Sequence, residues 1–127
     1  MIESARKYVA RPPRWARDIS TDNIEFLVQD AAALPFPDGY FDAVFLFDVL
    51  LHIPEWRRVI AEVYRVLKPG GVFSFTDFIL SPFWNGRLRH VSFGESELKE
   101  SLTASGLSIQ SFERTKRFPV VFVRAVK

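Results

Sequence analysis

Apolar positions along the chain fall into two patterns. Residues 43–50, AVFLFDVL, form a near-continuous apolar run, as expected of a strand buried on both faces of a parallel sheet. Downstream, Trp56, Val59, Ile60, Val63 and Leu67 recur at helical spacing and make one apolar stripe, with Arg57, Arg58, Glu62 and Arg65 on the other faces. Pro54 suits the first turn of this helix, where a missing N–H costs nothing. Lys68 is a favourable charge at its C-terminus, and Pro69-Gly70-Gly71 ends it. VFSFTDFI from Val72 predicts a second strand, parallel to the first through a right-handed crossover. Phe41 to Gly71 is thus a strand–helix unit leading into a strand, and the rest of the chain is organised around it.

On the N-terminal side, IESARKYVA places Ile2, Ala5 and Val9 on one helical stripe, and Pro12-Pro13 stops it. NIEFLVQD predicts a strand over residues 24–29. The link AAALPFPDGY is short for a parallel crossover, so an irregular connection is expected there. After Asp77, FILSPFWNGRLRHVSFG is irregular and aromatic-rich. Phe78, Phe83, Trp84 and Phe93 in it are candidates for either an acceptor pocket or the core. ESELKESLTAS predicts a helix with Leu98 and Leu102 inward, Gly94 as N-cap, Glu97 as the capping-box acid and Gly106 just past the end. LSIQSFER and PVVFVRAV are the last two strands, antiparallel across the hairpin-length RTKRF. The expected fold is therefore α/β, with three parallel strands (24–29, 41–48 and 72–77), a C-terminal antiparallel pair and helices packed on the sheet.

The three predicted parallel strands each end in an acid: Asp30, Asp48 and Asp77. Ligands of open α/β sheets bind outside the carboxyl ends of the strands, so these carboxylates are expected to share one rim. Any single Asp there could equally cap a turn. His52 follows a strand exit, where a general base for an acceptor hydroxyl could lie; packing or capping is the competing role. Asp77 is the other catalytic candidate, and His90 falls in the irregular segment. The two histidines and scattered acids show no metal-ligand spacing, so no metal is expected. Gly70-Gly71 ends a helix and enters a strand, the reverse of a phosphate-cradling loop, and no G-x-G occurs in the chain.

FDAVFLFDVLLHIPE and VLKPGG, preceded by QDAAALPFPDGYFD, resemble the second half of a class I S-adenosylmethionine-dependent methyltransferase of the small-molecule type. The resemblance implies a truncated Rossmann-like sheet in which the glycine-rich first motif, and the acid that holds the ribose, are not present. Residues 1–127 would then be one N-terminally incomplete domain. It also implies S-adenosylmethionine as cofactor and methyl transfer to an unidentified, small-molecule acceptor. By the same resemblance Asp30 accepts from the adenine amino group and the Ala31 N–H meets an adenine ring nitrogen. Leu46 and Phe47 lie along the methionine portion, with Asp48 lining the same region. Two lost ribose hydrogen bonds, at about 1.5–3 kcal/mol each, would weaken binding by roughly two to four orders of magnitude. Cofactor binding by this chain is therefore expected to be weak or undetectable. The alternatives are a non-catalytic remnant serving as a protein-interaction module, and a fragment of a longer active enzyme.

Charge refines the picture little. The net charge is +2, but the stretch from Thr21 to Glu55 has seven carboxylates and no Lys or Arg. Basic residues are dispersed over three regions without a nucleic-acid recognition motif, so solvated faces are expected rather than a nucleic-acid surface. With no cysteine, disulfides and thiolate sites are excluded. No apolar run approaches the ~18 residues of a membrane span, and no signal peptide is recognisable, so a cytoplasmic protein is expected. The family places two further strands between those ending at Asp30 and Asp48. Their lack exposes an apolar sheet edge, which either closes up within the chain or pairs with a second copy; a homodimer is expected.

Overall fold

The computed structural model describes residues 2–11, 13–14, 20–79 and 93–127. They belong to two compact units, Met1–Asp30 and Ala31–Lys127. In the first, the Ile2–Ala10 stripe forms α1. The Arg6 guanidinium donates to the Phe26 carbonyl at 3.3 Å, and a turn closes from the Ile24 N–H to the Thr21 carbonyl.

The second unit holds β1 (Phe41–Phe47), a 3-10 turn (Leu50–His52), α2 (Trp56–Val66), β2 (Leu67–Phe78), α3 (Glu95–Ala104), β3 (Ser108–Arg114) and β4 (Val120–Val126). The strand order is β1-β2-β4-β3. β1 and β2 are parallel, with Val44 opposite Phe73 and Leu46 opposite Phe75. β4 is antiparallel to both β2 and β3. Side chains alternate across the strands. Val44, Leu46, Phe73, Phe75, Val121 and Val123 share one core cluster with Val59, Ile60 and Val63 of α2 and Leu98 and Leu102 of α3. Phe45, Phe47 and Phe122 alternate away from that cluster and remain exposed, Phe45 at 60% and Phe47 at 69%.

The α/β architecture and the C-terminal antiparallel pair are as expected, but the third parallel strand is not. Residues 24–29 are in no strand, and among the described residues the sheet has one parallel pair. A strand is held by its ladder partners. Residues 24–29 take part in no ladder among the described residues, and Val28 is 82% exposed. Among the described strands, β1 is bonded to β2.

Two local expectations around α2 also change. Ile53, before Pro54, is extended (φ −115°, ψ 112°), as the proline ring requires, so a turn precedes the helix, which begins at Trp56. At the other end Leu67 is already a strand residue, and residues 68–71 bulge out between the Phe41–Leu67 and Ala43–Val72 pairs. Lys68 consequently pairs with Asp42 at 2.8 Å and holds that carboxyl below its usual range. The helix C-terminus is capped instead by Lys127, whose Nζ donates to the carbonyls of Tyr64 and Leu67, both at 2.8 Å.

α3 follows the sequence closely. The Gly94 N–H donates to Glu97 at 3.0 Å, which lowers the Glu97 carboxyl's pKa. At its end Gly106 has φ +93°. The Leu107 N–H returns to the Leu102 carbonyl and the Gly106 N–H to Thr103, the pair of bonds of a Schellman stop. Phe93 is core, its ring 4.9 Å from that of Trp56, and Phe78 is partly exposed. Phe83, Trp84 and His90 lie outside the described residues.

Candidate functional site

Parallel pairing of Phe47 with Thr76 brings the carboxyl ends of β1 and β2 together. The Asp48 N–H donates to the Thr76 carbonyl at 2.9 Å. Asp48 then takes a left-handed conformation, φ +55°, which a short polar side chain tolerates better than most. This turns the chain off the strand into the Leu50–His52 turn. His52 Nε2 lies 3.9 Å from Asp48 Oδ2, and both side chains are about half exposed. The two expected rim residues Asp48 and His52 are therefore neighbours open to solvent.

Asp77 has a different environment. It is buried, 1% exposed, and its carboxylate is occupied by backbone. Oδ2 accepts from the Leu50 N–H at 2.7 Å and Oδ1 from the Phe78 N–H at 2.8 Å. Burial pushes its pKa up, and these amides together with the Val49 amide oppose the shift. Asp77 thus caps the 3-10 turn from the neighbouring strand end and fixes where Asp48 and His52 stand. Asp30 ends the first unit; within the second, the structure brings together Asp48 and Asp77.

A cavity of about 250 Å³ lies in the second unit. One wall is the linker, with Ala31, Leu34 and Phe36; the other is Phe41, Ala43, Val44 and Leu46 of β1 with Val59 and Val63 of α2. Ala31 and Leu46, two of the positions singled out in the sequence, line the same space. Ligand pockets span about 300–1,000 Å³, so this apolar cavity suits a ring-sized part of a ligand rather than a whole nucleoside cofactor.

The linker is held by two residues that the sequence placed on a solvated helix face. Arg65 uses all five of its N–H donors. Nε and Nη2 reach Glu62 at 2.9 and 2.8 Å, Nη2 also reaches the Leu34 carbonyl at 2.9 Å, and Nη1 reaches the Phe36 carbonyl and Asp38, both at 2.8 Å. Glu62 in turn accepts from the Leu34 N–H at 2.9 Å. The Arg65 hydrogen bonds lower the Glu62 pKa. The i,i+3 spacing of Glu62 and Arg65 was the one signal in the sequence; their linker partners, 27 to 31 residues from Arg65, gave none.

Among the described residues no cluster of His, Asp and Glu could hold a metal ion. No described helix is long and apolar enough to cross a membrane.

A family model described as a methyltransferase domain matches residues 1–75. The chain belongs to the class I S-adenosylmethionine-dependent methyltransferases. It is 34% identical over 109 residues to 27-O-demethylrifamycin SV methyltransferase of Amycolatopsis mediterranei, covering 76% of this chain and 40% of that protein. To a sterol 24-C-methyltransferase of Gibberella zeae it is 37% identical over 71 residues, covering 55% of this chain and 19% of that protein. The chain thus spans less than half the length of these curated relatives. In fold it resembles an S-adenosylmethionine-dependent methyltransferase of Methanosarcina mazei, with a TM-score of 0.79 and 24% identity over 99% of this chain and 76% of that one.

Proposed function

We propose that this chain supplies the adenine-side and methionine-side walls of a methyltransferase active site that transfers a methyl group from S-adenosylmethionine to a small-molecule acceptor. The observation that carries this reading is the shared cavity of Ala31 and Leu46. Its apolar lining fits the purine and methylene parts of the cofactor. The Asp30 carboxylate is assigned to the adenine amino group and the Ala31 N–H to a ring nitrogen. The backbone of Leu46 and Phe47, with Asp48, lines the methionine portion. When bound, the cofactor's sulfonium supplies the methyl group and the driving force. The protein contributes position and exclusion of water. His52 is assigned as the base that takes the acceptor's proton at Nε2, with Asp48 beside it to stabilise the resulting imidazolium. Asp77, each of whose oxygens accepts a backbone amide, is assigned to positioning rather than proton transfer.

The same reading makes cofactor binding by the chain weak, because no G-x-G is present to bring backbone against the cofactor. Calorimetric titration with S-adenosylmethionine tests this. Micromolar affinity would contradict it.

Self-association is part of the proposal. β1 ends the described sheet, and its Phe45 and Phe47 side chains stand in solvent. An edge strand with unpaired backbone groups and a large apolar surface favours pairing with a second copy.

A further inference from the structure

We infer that Arg65 and Glu62 are positioning residues that set the adenine end of the cofactor site by fixing the linker wall, an inference that rests on the cofactor reading above. Ala31, Leu34 and Phe36 form that wall. Leu34 has both backbone groups tied to the pair, its N–H to Glu62 and its carbonyl to Arg65. The Phe36 carbonyl is tied to Arg65 as well. With the backbone of both residues hydrogen-bonded on the clamp side, their side chains line the cavity. The far end of the linker is bonded to the end of α2, the Gly39 N–H to the Arg65 carbonyl and the Tyr40 N–H to that of Val66. The linker therefore has fixed points from Leu34 to Tyr40, and Ala31 lies three residues before the first of them.

A planar fork with five donors does this where a point charge does not. A lysine ammonium has three donors in a compact group and cannot reach two carbonyls and two carboxylates in one plane. Glu62 is the second indispensable part, because it orients the guanidinium and accepts from Leu34 at once.

The test compares two probes, S-adenosylhomocysteine and S-inosylhomocysteine, whose purines differ in the 6-substituent and in the proton on N1, by NMR titration of the full chain. The wild type is expected to prefer the adenosyl probe by at least about tenfold, since one hydrogen bond to a charged group is worth roughly one to two orders of magnitude. Arg65→Lys is expected to bring that preference to about one while leaving the inosyl affinity within about twofold, since the lost contact is worth about one hydrogen bond. Glu62→Gln, which keeps an acceptor for Leu34 but loses the charge that orients Arg65, is expected to lower the preference partway. It carries the test alone if the lysine variant does not give a folded amide spectrum. Loss of affinity for both probes in equal proportion would show a merely structural role and overturn the inference, as would unchanged preference in both variants. A wild type that binds neither probe, or binds both equally, would overturn the adenine assignment itself and the clamp with it.

Discussion

Asp77 Oδ2 accepts the Leu50 N–H at 2.7 Å, tying the end of β2 to the turn that leaves β1. The same carboxylate accepts the Phe78 N–H through its other oxygen. One buried acid therefore satisfies donors on both strand ends, and the solvent-facing pair Asp48 and His52 is placed by it.

Asp77→Asn should destabilise the chain by about 1–3 kcal/mol, because the amide NH2 must face either the buried Leu50 N–H or the part-buried Phe78 N–H. Urea unfolding measures this. The pH dependence gives a second readout. Burial raises the folded pKa above its ordinary value of 3.8, so between the two values the folded state holds more protons than the unfolded one. Stability contributed by this group is then greatest in acid and falls as pH rises from about 4 through the folded pKa. The asparagine variant should lack that component, and an identical pH slope in both proteins would contradict the assignment.

Lys127→Met should cost about 0.5–1 kcal/mol, since it removes the charge on the α2 C-terminal carbonyls. Lys68→Met should cost less than Lys127→Met, because its partner Asp42 is exposed and the pair is screened by solvent. Equal losses by thermal or urea denaturation would return the capping role to Lys68.

Gly106→Ala should destabilise by more than about 1 kcal/mol, combining left-handed backbone strain with a Cβ placed 2.9 Å from the Tyr64 ring. Gly70→Ala has comparable strain at φ +78° and no atom within 4 Å of its Cβ. The difference between the two unfolding free energies isolates the ring clash, and no difference would mean that Tyr64 moves aside freely.

Much of the second unit was legible in the sequence because its signals are local. The apolar stripe of α2, the Gly94–Glu97 start and Gly106 stop of α3, and the alternation of β3 and β4 all lie within a few residues of what they specify. The failures have a common cause in distance along the chain. NIEFLVQD has a strand's composition, but strand formation needs a ladder partner, and these residues are in no ladder among the described residues. Lys68 sits where a cap belongs, yet Lys127, some 60 residues on, reaches the carbonyls first. In the sequence Asp48 and Asp77 are equivalent, each closing an apolar strand. Only the packing of β1 against β2 shows that Asp77 is buried on backbone amides, and Arg65 likewise looked like surface until the linker folded over it.

Sedimentation equilibrium at micromolar concentration should give a dimer, with Phe47→Lys shifting it to monomer by placing a charge on the exposed β1 residue. A strictly monomeric wild type would contradict self-association through this edge.

The most direct test of the cofactor assignment is an NMR titration of the full chain with S-adenosylhomocysteine into the millimolar range. The account predicts saturable shifts centred on the amides of Ala31, Leu46 and Phe47, abolished or strongly weakened by Asp30→Ala. No shifts at millimolar ligand, shifts confined to residues away from the cavity such as Arg114 to Pro119, or an unaltered response in Asp30→Ala would contradict it.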